Sequence, residues 1–187
     1  MKHERVQRTE WGKAYVTPSY AWKADENAQH FIPLMIADYL LGGSKTSRLY
    51  QLLVEKTRLA ESVATSFNAF RKGPGEFELN VVPVDAAKLA EIEKLLAAEF
   101  KKLQENPPSE AELKRAKTQL LASNIYLRDG LQSLAQVMAH LAMIGLPLDF
   151  YFDWEEKIAQ VTAQQVSDSL QLLDENYSVT GVLEPKG

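Results

Sequence analysis

The feature that most restricts how this chain can fold is the pair Gly42-Gly43 and the change of hydrophobic period on its two sides. Before it runs Leu34-Met35-Ile36-Ala37-Asp38-Tyr39-Leu40-Leu41, an apolar stretch that reads as the end of a helix. After it, Leu49, Leu52, Leu53 and Lys56 recur at helical spacing, so a second helix with one apolar face follows. Ser44, Thr46 and Ser47 are each suited to cap it. Beyond Arg58 the pattern turns to alternation, with Val63, Thr65 and Phe67 on one side of a strand. Two glycines at such a junction supply positive φ or let two backbones approach closely. Helix, glycine corner, helix and strand must therefore follow one another with almost no loop.

Composition bounds the rest. The 187 residues are 45% hydrophobic and 25% charged, enough for one domain with a sizeable core. A formal net charge of −4 argues against a general nucleic-acid binder. With no cysteine, disulfides and thiolate metal sites are excluded. No apolar run reaches the ~18 residues that span a membrane, and Met1 to Arg8 is too polar for a signal peptide.

Taken in order, residues 1–13 form a polar N-terminal segment and residues 14–187 a single α+β domain. Ala14 to Trp22 reads as a first strand, with Pro18 pointing to an edge or a bulge. Asp25 is expected to cap a helix carrying Ala28, Phe31, Ile32, Met35, Ile36 and Leu40, bent at Pro33. Glu61–Phe70 and Glu76–Val84 flank Arg71-Lys72-Gly73-Pro74-Gly75 and read as an antiparallel hairpin. Leu89, Ile92, Leu96, Phe100 and Leu103 mark a helix that ends before Pro107-Pro108. Ser109 and Glu112 form a capping box for the next stripe, Leu113 to Leu141. That stripe keeps its register through Asp129-Gly130, so one long helix or two nearly collinear ones fit. A short aromatic helix (Phe150, Tyr151, Trp154, Ile158), a second capping box at Thr162–Gln165 and a closing strand Tyr177–Leu183 complete the chain. The sum is a mainly antiparallel sheet with helices packed on one face.

Leu41-Gly42-Gly43, Ser47-Arg48-Leu49-Tyr50, Leu53, Glu55-Lys56, Leu59-Ala60 and Ser62-Val63 together carry a resemblance to a known family. The stretch resembles the C-terminal half-domain of the pitrilysin/insulinase (inverzincin) zinc metallopeptidases, which include the mitochondrial processing peptidase. In that family two such halves close like a clam around a peptide substrate. The resemblance therefore implies partners for this chain: the N-terminal half of the same protein, a homologous partner subunit, or both. Gly42, Gly43 and Arg48 are then its structural signature, and bacterial members suggest the periplasm.

The chemistry implied by the family is mostly missing from this half. Its zinc sits in the other half, on a His-x-x-Glu-His helix whose Glu activates the metal-bound water. Here His3, His30 and His140 are far apart and none opens that motif, so zinc is expected in the N-terminal half or a partner and no cofactor in this chain. His30 reads as a helix-surface residue and His140 as a partly buried one. Active second halves supply an Arg and a Tyr that stabilise charge at the scissile carbonyl. Matching the pattern puts those positions at Val54 and Glu61, where neither residue type is retained. Val cannot donate a hydrogen bond, and Glu opposes a developing oxyanion. The Ser44, Lys45 and Ser47 cluster lacks the strand-loop-helix spacing of a P-loop, and no nucleophile elbow is present. The implied function is a half-domain that shapes the peptide chamber of a zinc endopeptidase without being active alone. The alternative is a catalytically inactive member serving as a scaffold or assembly subunit.

Overall fold

The computed structural model describes residues 8–17, 24–68, 70–71, 73–125 and 131–185. Four strands form one antiparallel sheet in the order β2-β3-β1-β4. They are β1 (Glu10–Thr17), β2 (Ala60–Asn68), β3 (Gly75–Pro83) and β4 (Ser178–Leu183). The α+β arrangement agrees with the alternation in the sequence. Phe77, Leu79 and Val81 of β3 are buried, and their cross-strand partners on the same face are Tyr15, Lys13 and Trp11 on one side and Phe67, Thr65 and Val63 on the other. Residues of opposite parity, such as Glu76, Glu78 and Asn80, lie on the open face.

Helix α1 (Ala24–Leu41) packs on the sheet and contributes Phe31, Ile32, Leu34, Ile36, Ala37, Leu40 and Leu41 to the core. It starts one residue ahead of Asp25, so that residue lies in the first turn and not before it, and Pro33 sits inside the helix, buried. The first strand also runs earlier than the alternation suggested: Glu10 to Lys13 join the sheet, because Trp11 and Lys13 pair with Val81 and Leu79. The readings placed on Pro18, Asp129 and Gly130 fall outside the described residues.

The remaining helices are α2 (Arg48–Tyr50), α3 (Leu89–Glu105), α4 (Glu110–Ile125), α5 (Leu131–Ile144), α6 (Asp149–Phe152), α7 (Trp154–Gln160) and α8 (Ala163–Ser169). Ile92, Leu96 and Leu103 bury the inner face of α3. Both capping boxes form: Ser109 with Glu112 ahead of α4, and Thr162 with Gln165 ahead of α8. The aromatic segment is divided, with α6 and α7 meeting at Asp153. Its rings join Phe31 and Phe70 in a cluster, Phe31 to Phe70 at 5.1 Å and Phe150 to Trp154 at 5.6 Å between centroids. Gly145 closes α5 at φ 84°.

Candidate functional site

The glycine corner works by close approach. Neither Gly42 nor Gly43 adopts positive φ. A Cβ on Gly42 would lie 2.5 Å from the Thr65 backbone nitrogen, and one on Gly43 would lie 2.8 Å from the Tyr39 Cα. Backbone is what stands in the way, so no larger residue fits without moving β2 or α1. The Asp38 carbonyl accepts from both glycine amides, at 3.0 and 3.2 Å, and from the Thr65 hydroxyl at 3.0 Å. The end of α1 is thereby tied directly to the middle of β2.

Asp38 stands out in the sequence only as an acid inside the apolar run Leu34–Leu41. Its Oδ1 is closed off from solvent and unpaired among the described residues. Burial pushes its carboxyl up to about 6, and the nearby Thr65 side chain and Phe67 backbone offset only part of that rise.

Arg48 braces the corner from the other side. Its Nε donates to Glu112 Oε1 at 3.0 Å, and its guanidinium lies 3.6 Å from Glu99. Glu112 is also the acid of the α4 capping box, accepting from the Ser109 amide at 3.0 Å and hydroxyl at 2.8 Å through Oε2. Burial alone would raise this carboxyl, but Arg48 and the Ser109 bonds hold it down at about 2. One side chain thus joins α2, α3 and α4. Ser47 stands at the cap position of α2 without a side-chain cap bond, and the Ser44 hydroxyl accepts from the Thr46 amide at 3.3 Å instead.

The helix after the corner is not an ordinary α-helix. After Arg48–Tyr50 it widens into a π-helix over Gln51–Lys56, and Arg58 beyond it holds φ at 54°. The Thr57 amide reaches back to Leu52 O at 2.9 Å, with the Thr57 hydroxyl bonding the same carbonyl at 2.8 Å. Leu53 is fully buried, and Leu52 and Val54 on either side of it pack half-buried on the core. π-Turns and non-glycine residues at positive φ are both costly, and both concentrate at functional sites. Spacing alone gave no hint of this winding.

The two positions matched to the family's Arg and Tyr lie at the ends of this segment. Val54 faces the core. Glu61 is exposed at the start of β2 and accepts from Arg8 at 3.1 Å. That bond links residues 53 positions apart, which no local pattern signals.

Among the described residues, His30 and His140 belong to no common cluster. His140 is exposed, not partly buried, and its Nε2 lies 2.7 Å from Phe70 O, which draws it out of the helix packing to the hairpin. His30 sits on α1, and His3 lies outside the described residues. Among the described residues, no group of three or more His, Cys, Asp or Glu could hold a metal ion. No helix among them is long and apolar enough to cross a membrane.

A separate cleft of about 460 Å³ opens between α3 and the β1–β4 side of the sheet, with Trp11, Tyr15, Phe100 and Thr180 in its walls. Its polar groups satisfy one another. Lys13 and Tyr15 both bind the Glu175 carboxylate, Tyr15 at 2.8 Å, and the Trp11 indole donates to Glu93 at 2.9 Å. Burial, then the bond to Glu175, drives the Tyr15 phenol upward.

Comparison with known proteins gives the arrangement its relatives. No curated protein matches the sequence. Among solved structures, a protease from Helicobacter pylori is 19% identical with a TM-score of 0.81, covering 98% of this chain and 42% of its own. A peptidase M16 inactive domain from Pseudomonas fluorescens is 22% identical with a TM-score of 0.77, covering 98% of this chain and 42% of its own. An inactive peptidase domain from Bordetella parapertussis is 19% identical with a TM-score of 0.82, covering 100% of this chain and 96% of its own. At these identities the likeness concerns the fold. This chain spans less than half of the first two proteins and nearly all of the third. A family profile described as peptidase M16 inactive domain matches residues 1–120. The chain therefore belongs to the peptidase M16 family as its inactive domain, the C-terminal half-domain that the Gly42-Gly43 stretch resembles.

Proposed function

We propose that this chain is the non-metal C-terminal domain of a zinc-dependent endopeptidase, shaping a peptide-binding chamber and contacting a partner half that holds the zinc. The observation that supports this most is the rigidity of the corner. Gly42 and Gly43 lock α1 onto β2, while Arg48 locks α2 onto α3 and α4, so the π-turn and the start of β2 are held as a fixed wall. A wall of this kind suits a chamber that must meet a second half in one register. The domain would comprise residues 14–187 with Glu10 to Lys13 added to its first strand, and the periplasm is the compartment the resemblance favours.

The test is peptide cleavage in the presence of zinc. The 187-residue chain alone should show no turnover above buffer, and adding the zinc-bearing half should restore it. Turnover by this chain alone would sink the reading.

A second reading, a catalytically inactive member acting as a scaffold, draws on Val54 and Glu61. Val54 is turned to the core and Glu61 is engaged by Arg8, so neither stands ready to stabilise an oxyanion. The two readings separate on the full-length protein. The peptidase reading requires a His-x-x-Glu-His upstream and zinc bound by the complex; the scaffold reading requires neither.

A further inference from the structure

We infer that β4, with the turn before it, is a strap that peels from β1 as a unit and lays open the cleft beside α3, with Glu175 as its latch. The hydrophobic core ends at β1. Trp11 and Tyr15 belong to it, but no described residue from Asp174 to Leu183 does. No residue of β4 is buried, and Val179 is 71% and Leu183 54% exposed. The other edge strand is anchored, with Ala60, Val63 and Thr65 of β2 buried. Among the described residues β4 bonds to β1 alone. Ordering its six residues costs about 1–2 kcal/mol each. With almost no apolar burial to offset that, ladder and side-chain bonds must hold it. Elements with few buried apolar contacts are those that open before the rest of a fold.

Gly181 weakens the strand further. A Cβ there would meet nothing within 4 Å, and its φ is ordinary, so neither space nor backbone demands a glycine. Inside a strand, glycine gives the released chain more freedom and so favours release.

The side-chain bonds that hold the strap are concentrated at one end. Glu175 lies in the 3-10 turn Glu175–Tyr177 that leads into β4. Its carboxylate accepts from Lys13 Nζ, from the Tyr15 hydroxyl at 2.8 Å and from the Ser178 hydroxyl at 3.4 Å. Lys13 and Tyr15 stand on β1, with the ammonium 5.0 Å from the centre of the Tyr15 ring. One carboxylate on the strap thus grips two donors on the fixed sheet, through charge-assisted bonds. Glu175 and Thr180 are also walls of the cleft that Trp11, Tyr15 and Phe100 line, so peeling removes one side of it. The strap uses neither the π-turn nor the start of β2, and it stands or falls apart from the chamber reading.

The test is native-state hydrogen exchange of the full 187-residue chain, followed amide by amide by NMR over a urea series. The β4 amides that point to β1 should exchange about a hundredfold or more faster than those of β3, with a shallower urea dependence, because peeling exposes little surface. The β1 amides that point to β4 should follow them, while the alternate ones that point to β3 stay with the core. The Trp11 indole N–H, buried in the cleft, should exchange with the strap. Glu175→Ala should raise the opening of the strap about tenfold, and Gly181→Ala should lower it about two- to fivefold. Amides of β4 that share the slope and exchange rate of β3, a Trp11 indole that exchanges only with β3, or a Glu175→Ala protein with unchanged β4 exchange would each overturn the inference.

Discussion

The two edges of the sheet solve the problem of a glycine in opposite ways. At the β2 edge, Gly42 and Gly43 are surrounded, and the backbones of Thr65 and Tyr39 occupy the space a side chain would need. At the β4 edge, Gly181 is surrounded by nothing. The first pair is demanded by the fold of the single chain, and the second residue is not. The same residue type thus reports tertiary closeness in one place and leaves room for a neighbour in the other. What distinguishes them is the distance to the nearest backbone.

Substitution at the corner should give the largest effect. Gly42→Ala puts a methyl 2.5 Å from a backbone nitrogen in a packed region, and should cost about 3 kcal/mol or more in urea unfolding. A cost below about 1 kcal/mol would show that β2 can yield, and that the two edges differ less than their geometry implies.

Next comes Arg48→Met. It keeps much of the side-chain volume but takes the cation from Glu112 and leaves Glu99 with Lys102 alone, and should lose about 1.5–3 kcal/mol. The capping box at Ser109 would remain, so the loss should be smaller in Glu112→Gln at low pH than at neutral pH.

The corner should also leave its mark on pH dependence. Asp38 has a folded value raised to about 6 from 3.8, so its contribution is fully present below 3.8 and is lost as pH rises through 6. Glu112 is depressed from 4.5 to about 2, so its contribution is present above 4.5 and is lost as pH falls toward 2. Thermal melts should therefore show stability rising from pH 7 to about 4.5 and falling below it. The Asp38 part is on the order of 1 kcal/mol, since only Oδ1 is closed off while the residue is half-buried. In Asp38→Asn the rise between pH 7 and 4.5 should flatten; an unchanged slope would assign it to other carboxylates.

The smallest effect belongs to the bare edge. Gly181→Ala should be neutral or stabilising by about 0.4–1 kcal/mol, because it restricts the unfolded chain and meets no neighbour. A destabilisation matching that of Gly42→Ala would erase the contrast between the edges.

Much of this was legible in the residues. The hairpin β2–β3, the buried face of Phe77, Leu79 and Val81, both capping boxes and the α3 stripe follow from period and cap chemistry, which act over a few neighbouring residues. The start of β1 is not legible in the residues because Glu10 and Lys13 are polar, and only the pairing of Glu10 with β4 and of Lys13 with β3 and β4 makes them strand. The π-turn escaped notice because Leu49, Leu52 and Leu53 satisfy an α-helical stripe as well as a wider one. The structure shows Leu52, Leu53 and Val54, three successive residues, all packed on the core there.

By itself, the sequence determined the order of elements, the identity of the glycine corner and the absence of a zinc-binding histidine motif in these 187 residues. Those are matters of local pattern, composition and short spacing. The tertiary structure decided why the corner must be glycine, which acids Arg48 holds, how Arg8 meets Glu61, and that Gly181 has open space around it. Each of these is a distance between residues far apart in sequence, and such distances exist only after the sheet and helices have closed on one another.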